Sequence, residues 1–158
     1  MELTEKNSEK CMIIGIKGRL DTINYNFVEK RLIELMDQHV NRILVNCSQM
    51  DYISSSGLRI LLMALKRITL SGGKLVICGL QDNIHEIFEI SGFTTIFDIS
   101  TSEQEALSVF FWSLHLDIRR NKFKWSYEKI FFLYHYYFIF YKHFLQYQGK
   151  TAKRNFVH

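Results

Sequence analysis

The feature that most limits the fold of this chain is a regular alternation between apolar runs and segments with helical spacing. The three clearest runs are "CMIIGIKG", "RILVNCS" and "KLVICGL", at positions 11–18, 42–48 and 74–80, and a shorter one, "TIFDI", comes later in the chain. The three long runs are apolar almost throughout, which is typical of parallel strands that are covered on both faces. The sequence therefore predicts an α/β fold with a small, mostly parallel sheet covered by helices.

The helix after the second run is the clearest one in the sequence. Its leucines recur at i, i+3, i+4 and i+7, as expected for one stripe that faces the sheet: Leu58, Leu61, Leu62 and Leu65. That orientation predicts an outer face with Ile60, Met63 and Arg67. Because apolar side chains there have no core to enter, we expect this face to dock a partner.

Composition and charge exclude several classes of function. The formal net charge of +4 over 158 residues does not by itself indicate nucleic-acid binding, because the basic residues must also cluster on one face for that function. Cys11, Cys47 and Cys78 lie in separate strand-like runs without metal-ligand spacing, so we predict three buried thiols and neither metal nor cofactor. The charged start of the chain has no apolar segment of a signal peptide, which favours the cytoplasm.

The sequence changes character near Leu107, which predicts a domain at residues 1–107 and an aromatic-rich C-terminal tail at 108–158. The apolar run at 130–141 is shorter than the about 20 residues that span a bilayer. The tail is interpreted as a disordered segment, a membrane-contacting segment or an unselected extension. A chain that ends near Val109 is expected to be at least as stable as the full chain.

Three serines stand where the second strand passes into the clearest helix: Ser54, Ser55 and Ser56. One hydroxyl suffices to cap a helix, so the others are spare at a helix N-terminus, a position that stabilises an added phosphate. A nucleophilic serine requires a base in reach and, in hydrolases, a G-x-S-x-G turn, which this stretch lacks. The two histidines of this part, His39 at a helix end and His85 in a short helix, are predicted to be ordinary surface or capping residues. The chain is therefore predicted not to be an enzyme.

Four quoted stretches carry a family resemblance: "GRLDT", "ILVNCSQMDYISSSGLRILLMALK", "GGKLVICGL" and "EISGFTTIFDISTSEQEAL". In this order they resemble the STAS domain, specifically the bacterial anti-sigma factor antagonists, over about residues 1–107. The resemblance implies that Ser55 is the phosphorylated residue, with Ser54 and Ser56 as rival acceptors, and that Asp21 lies near it. Ser54 and Asn46 stand where aspartates are common in the family.

The resemblance implies a partner-switching regulator. Its partners are an anti-sigma factor that is also a serine kinase and a serine phosphatase that removes the phosphate. The residues expected to contact the anti-sigma factor comprise the first-loop aspartate, the serine loop and the outer helix face: Asp21, Ser54, Ser56, Gly57, Ile60, Met63 and Arg67. Two alternatives stay open, a membrane-associated STAS module and a STAS domain that binds a small ligand.

Overall fold

The computed structural model describes residues 1–117, and for residues 111–117 it describes the backbone alone. The five strands form one sheet in the order β1-β2-β3-β4-β5. Their bounds are β1 Glu2–Asn7, β2 Met12–Leu20, β3 Arg42–Ile53, β4 Lys74–Cys78 and β5 Asp98–Ser100. The helices are α1 Tyr25–Asp37, α2 Ser55–Leu70, α3 Asp82–Ile90 and α4 Glu103–Asp117.

The predicted fold class is confirmed, with one strand added. β2, β3, β4 and β5 pair in parallel, whereas β1 pairs antiparallel to β2 along the edge of the sheet. Each connection between successive strands from β2 to β5 contains a helix and leads to the neighbouring strand of the sheet. Because such crossovers are right-handed, α1, α2 and α3 cover the same face of the sheet.

The other face of the sheet holds a second, smaller core beneath α4. Its members come from β2, β3, β4, α4 and the residue before β2: Cys11, Ile13, Leu44, Val76, Cys78, Ala106 and Phe110. Successive side chains of a strand point to opposite faces. The two covered faces thus explain why the central strands are apolar almost throughout.

α4 crosses the predicted domain boundary. The helix runs from Glu103 to Asp117, so a boundary after Leu107 falls inside it. Phe110, which the sequence prediction assigned to the tail, is fully buried in the core beneath α4. The remaining predictions for the tail concern positions 118–158 and lie outside the described residues.

α2 is rotated relative to the sequence prediction. Its buried residues are Gly57, Leu58, Ile60, Leu61, Ala64 and Ile68. Ile60 has no exposed surface, so the prediction that it belongs to an outer docking face is wrong. Leu62 and Leu65, predicted to face the sheet, are partly exposed instead. Leu58 and Leu61 are buried as predicted.

The three cysteine side chains are buried, as the sequence predicts. Burial raises the pKa of the Cys11 and Cys78 thiols to about 11, and it raises the pKa of Cys47 as well. Thiols in this state are poor nucleophiles because the thiolate is disfavoured. Within residues 1–117, no helix is long and apolar enough to cross a membrane.

Candidate regulatory site at the serine loop

The serine loop lies where β2 and β3 end side by side. Leu20 at the end of β2 pairs with Ile53 at the end of β3. The Ser54 N–H continues this pairing and donates to the carbonyl oxygen of Leu20, with an N–O distance of 2.9 Å. Asp21 and Ser54 therefore follow adjacent strand ends at the same edge of the sheet, as the family resemblance implies.

Ser54 is the N-cap of α2. Its backbone is extended, and its Oγ accepts a hydrogen bond from the Gly57 N–H at 3.2 Å. The residue is only 6% exposed. A hydroxyl that caps a helix and is buried to this degree is poorly available to another protein. Ser54 is thus committed to the fold, which leaves the next two serines as accessible hydroxyls.

Ser55 and Ser56 are the first two residues of α2 and are partly exposed. Within residues 1–117, no hydrogen-bond partner is found for either side-chain hydroxyl. The first N–H groups of a helix have no partner within the helix, and together with the helix dipole they favour an anion. Both hydroxyls are therefore chemically suited to carry a phosphate, and the geometry alone leaves Ser56 as a rival to Ser55.

Gly57 explains how α2 approaches the sheet. A Cβ atom at this position would lie 2.9 Å from the Ile53 Cγ1 atom and 2.9 Å from the Leu20 Cγ atom, closer than side chains normally come. The glycine therefore lets the start of α2 lie directly on the ends of β2 and β3. Because Gly57 is buried beneath these contacts, the partner contact predicted there has little support.

Asp21 organises the turn that leads into α1. Its Oδ1 accepts a hydrogen bond from the Ile23 N–H at 3.0 Å, and its own N–H donates to the Oδ1 of Asn24 at 3.1 Å. Its Oδ2 lies 3.8 Å from the Arg19 Nε atom. A carboxylate of this kind stabilises the turn, and its side chain, 23% exposed, remains partly available to a partner.

Met63 and Arg67 do not form a common patch with Ile60. Met63 is partly exposed. Arg67 is exposed and forms an ion pair with Asp37 at the end of α1. This pair lies three turns along α2 from the serines, where it joins the far ends of α1 and α2.

The structure reveals two neighbours of the site that were not identified from the sequence. Arg59, one turn after Ser55, forms an ion pair with Glu29 of α1. Ile23, two residues after Asp21, is 88% exposed. The spacing of four between Ser55 and Arg59 was a readable signal, because such residues are neighbours on a helix surface. The exposure of Ile23 had no comparable signal.

Asn46, which stands where the family often has aspartate, connects β3 to α4. Its Nδ2 donates to the Glu103 carboxylate at 2.8 Å, and its Oδ1 accepts from the Ser48 N–H at 3.0 Å. An aspartate at this position would place a second carboxylate beside Glu103. The neutral amide of Asn46 instead donates a hydrogen bond to the glutamate that begins α4.

One small cavity of about 140 Å³ lies among the described residues, at the end of α2 away from the serines. It is lined by Met36, His39, Val40, Asn41, Arg67 and Ser71. Pockets for small ligands usually measure about 300–1,000 Å³. Within residues 1–117, no group of side chains is arranged to hold a metal ion.

Comparison with known proteins decides the family. The STAS domain family matches residues 2–106. The chain belongs to the STAS family. It is 34% identical over 110 residues to BtrV of Bordetella bronchiseptica, provisionally named an anti-sigma factor antagonist, and the match covers 70% of this STAS chain and 95% of BtrV.

Two further comparisons place the STAS chain among similar proteins. The anti-sigma-B factor antagonist of Bacillus subtilis is 24% identical over 99 residues, which cover 63% of this chain and 90% of that protein. The fold is similar to that of the Bacillus cell fate determinant SpoIIAA in its phosphorylated form, with a TM-score of 0.56 and 17% identity. That likeness covers 68% of this chain and 97% of SpoIIAA.

Proposed function

We propose that this protein is an anti-sigma factor antagonist that works by partner switching. Unphosphorylated, it binds an anti-sigma factor and so frees the sigma factor. Phosphorylated on Ser55, it is released from that partner. It acts as a regulator in the cytoplasm and not as an enzyme. The observation that carries the proposal is a partly exposed Ser55 hydroxyl at the start of α2, beside a Ser54 that is committed as the cap.

The proposed modification is a transfer of the γ-phosphoryl group of ATP by the anti-sigma factor, acting as a serine kinase. The Ser55 Oγ atom forms a bond to the γ-phosphorus while the bond from that phosphorus to the β,γ-bridging oxygen breaks. ADP leaves, and the hydroxyl proton passes to a base of the kinase. A serine phosphatase reverses the state by hydrolysis, which uses one water and releases inorganic phosphate.

The physics of the switch depends on where the charge is added. A phosphate brings about −1.5 to −2 charge at neutral pH. The fold tolerates it, because the free N–H groups at the start of α2 and the helix dipole stabilise an anion there. A partner packed on the same surface would have to desolvate that charge, which is costly without a matching cation. The modification thus weakens the complex and leaves the domain folded.

The proposed contact surface is the sheet edge at which β2 and β3 end. It includes the carboxylate of Asp21, the exposed side chain of Ile23 and the hydroxyl of Ser56. The partner contacts predicted at Ser54, Met63 and Arg67 have weaker support. Ser54 is nearly buried, and Arg67 lies at the far end of α2.

The acceptor is tested by incubating the full chain with ATP and the host's candidate serine kinases, followed by intact-mass measurement and phosphosite mapping. We expect one phosphate, on Ser55, which Ser55→Ala abolishes. Ser56→Ala is the matched control, since it removes the neighbouring exposed hydroxyl and should leave the modification in place. A phosphate mapped only to Ser56 would refute the assignment. Absence of any phosphate with every kinase would refute the switch.

A further inference from the structure

Arg59 lies one helical turn after Ser55 on α2. Residues four apart on a helix have Cβ atoms about 5–6 Å from each other. Long side chains on a helix point back toward its N-terminus, so the turn that contains Ser55 is within reach of the Arg59 side chain. Once Ser55 carries a phosphate, the negative group precedes the positive group of Arg59 along the helix. This is the favourable order for two charges four residues apart.

In the unmodified protein Arg59 rests on α1. Its Nη2 lies 3.4 Å from the Glu29 Oε1 atom, and its Cζ lies 5.4 Å from the centre of the Tyr25 ring. Both contacts are long, and 42% of the arginine side chain is exposed. Exposed pairs of this kind contribute little to stability. Arg59 is therefore held loosely and is able to exchange its partner.

Arg31 of α1 shows how a firmly bound arginine differs. Two of its nitrogens bond to the two carboxylate oxygens of Glu5, at 2.5 and 2.8 Å. A third bonds to Glu34 at 3.0 Å. Each of its three nitrogens therefore faces a carboxylate, whereas one nitrogen of Arg59 lies near a carboxylate among the described residues.

Two other arginines near α2 are placed where they do not serve Ser55. Arg19 stacks on the Tyr52 ring, with its Cζ 3.9 Å from the ring centre. Leu20 and Ile53 contact Gly57 of α2, so their chain neighbours Arg19 and Tyr52 point to the opposite face of the sheet. Arg67 is two turns beyond Arg59 and pairs with Asp37.

We infer that Arg59 binds the phosphate of Ser55 and gives up Glu29 to do so. This inference rests on the proposed phosphorylation of Ser55. A phosphate offers three acceptor oxygens and more negative charge than one carboxylate, and it lies on the same helix as the arginine. The exchange leaves Glu29 unpaired and uncovers Tyr25. Phosphorylation on α2 thereby changes the surface of α1, next to the turn that Asp21 organises.

The test installs phosphoserine at position 55 of the full chain during translation, so that no kinase is required. The second pKa of the phosphate, about 6 for an unperturbed group, is then measured by phosphorus NMR as a function of pH. A bound guanidinium favours the dianion and lowers this pKa. We expect the value to be about 0.3 unit lower in the otherwise unchanged chain than in Arg59→Gln. Arg67→Gln, on the same helix, is the matched control and should match the unchanged chain.

A second variant keeps the inference open to refutation if Arg59→Gln does not fold. Glu29→Gln removes the competing carboxylate, so it should lower the phosphate pKa further. Equal pKa values in the unchanged chain, Arg59→Gln and Glu29→Gln would overturn the inference. If Arg59→Gln does not fold, equal phosphate pKa values in the unchanged chain and in Glu29→Gln would overturn the inference. Because the phosphate is installed directly, a kinase that ignores Ser55 would refute the proposed function without affecting this measurement.

Discussion

Replacing Ile60 by alanine tests the rotation of α2. Ile60 is fully buried, whereas Leu62, two residues later on the same helix, is partly exposed. Full burial of an isoleucine side chain contributes about 1.5–3 kcal/mol by transfer from water, and the cavity left by truncation adds to the loss. We therefore expect Ile60→Ala to lower the free energy of unfolding by about 3 kcal/mol. Leu62→Ala should cost about 1 kcal/mol, because less surface leaves water and little cavity forms.

The assay is urea unfolding of the full chain followed by circular dichroism, with both variants and the unchanged protein measured together. A difference of about 3 kcal/mol is a large share of the roughly 5–15 kcal/mol that holds a typical domain together, so it will be visible in the midpoint. Equal losses for Ile60→Ala and Leu62→Ala would refute the rotation. A larger loss for Leu62→Ala would restore the stripe predicted from the leucine spacing.

Two further predictions concern the second core and the edge strand. Phe110→Ala should destabilise the full chain by about 3–5 kcal/mol, because it empties part of the core beneath α4. A chain that ends after Val109 lacks the same side chain and should also melt at a lower temperature than the full chain, opposite to the expectation from the sequence. A melting curve of each variant beside the full chain checks both predictions. Hydrogen bonding by Arg31 holds the pKa of Glu5 below its usual 4.5. The Glu5 carboxylate therefore stabilises the fold above pH 4.5, and this stabilisation is lost as the pH falls through the lowered pKa of Glu5. The urea midpoint should consequently decrease less steeply with falling pH in Glu5→Gln than in the unchanged protein.

The parallel core of the sheet was predictable because its signal is strong and redundant. Each central strand is apolar almost throughout, and the glycine and serine positions mark where strands and helices end. β1 carried no such signal. Its sequence "ELTEKN" is half charged, and the strand is exposed apart from Leu3, which is partly buried. Charged residues are common on edge strands because they discourage pairing with another chain, so burial patterns miss such strands.

The rotation of α2 was not predictable from its leucines, for a physical reason. Apolar residues occupy most positions between Leu58 and Ile68, so more than one stripe fits the helical period. The contact that selects the rotation is the close approach of Gly57 to the ends of β2 and β3. Ala64, seven residues later, is the other small residue on the buried side. Small residues two turns apart mark the contact line better than the leucines do.

The predicted boundary after Leu107 falls inside α4 because composition and packing do not change at the same residue. The rise in aromatic content near position 110 suggested a segment outside the domain. Aromatic side chains also bury more surface than any others, and one placed at the right turn of a helix can fill a core. Phe110 is four residues after Ala106, so both lie on one side of α4 and both are buried. That spacing was present in the sequence but was outweighed by the aromatic composition of the residues after position 110.

The serine loop shows how three identical residues acquire two different roles through position alone. Ser54 precedes the helix, has an extended backbone and turns its oxygen toward the Gly57 N–H. Ser55 and Ser56 have entered the helix, so their hydroxyls point outward beside N–H groups that lack partners. Serine and aspartate cap helices about equally well, so a serine at position 54 supplies the cap without adding a charge. A phosphate on Ser55 would then change the charge of a loop that has no carboxylate between Ser54 and Gly57. In this arrangement the Ser54 cap does not involve the Ser55 hydroxyl, so we expect the fold to be preserved in both states while the charge at the start of α2 changes.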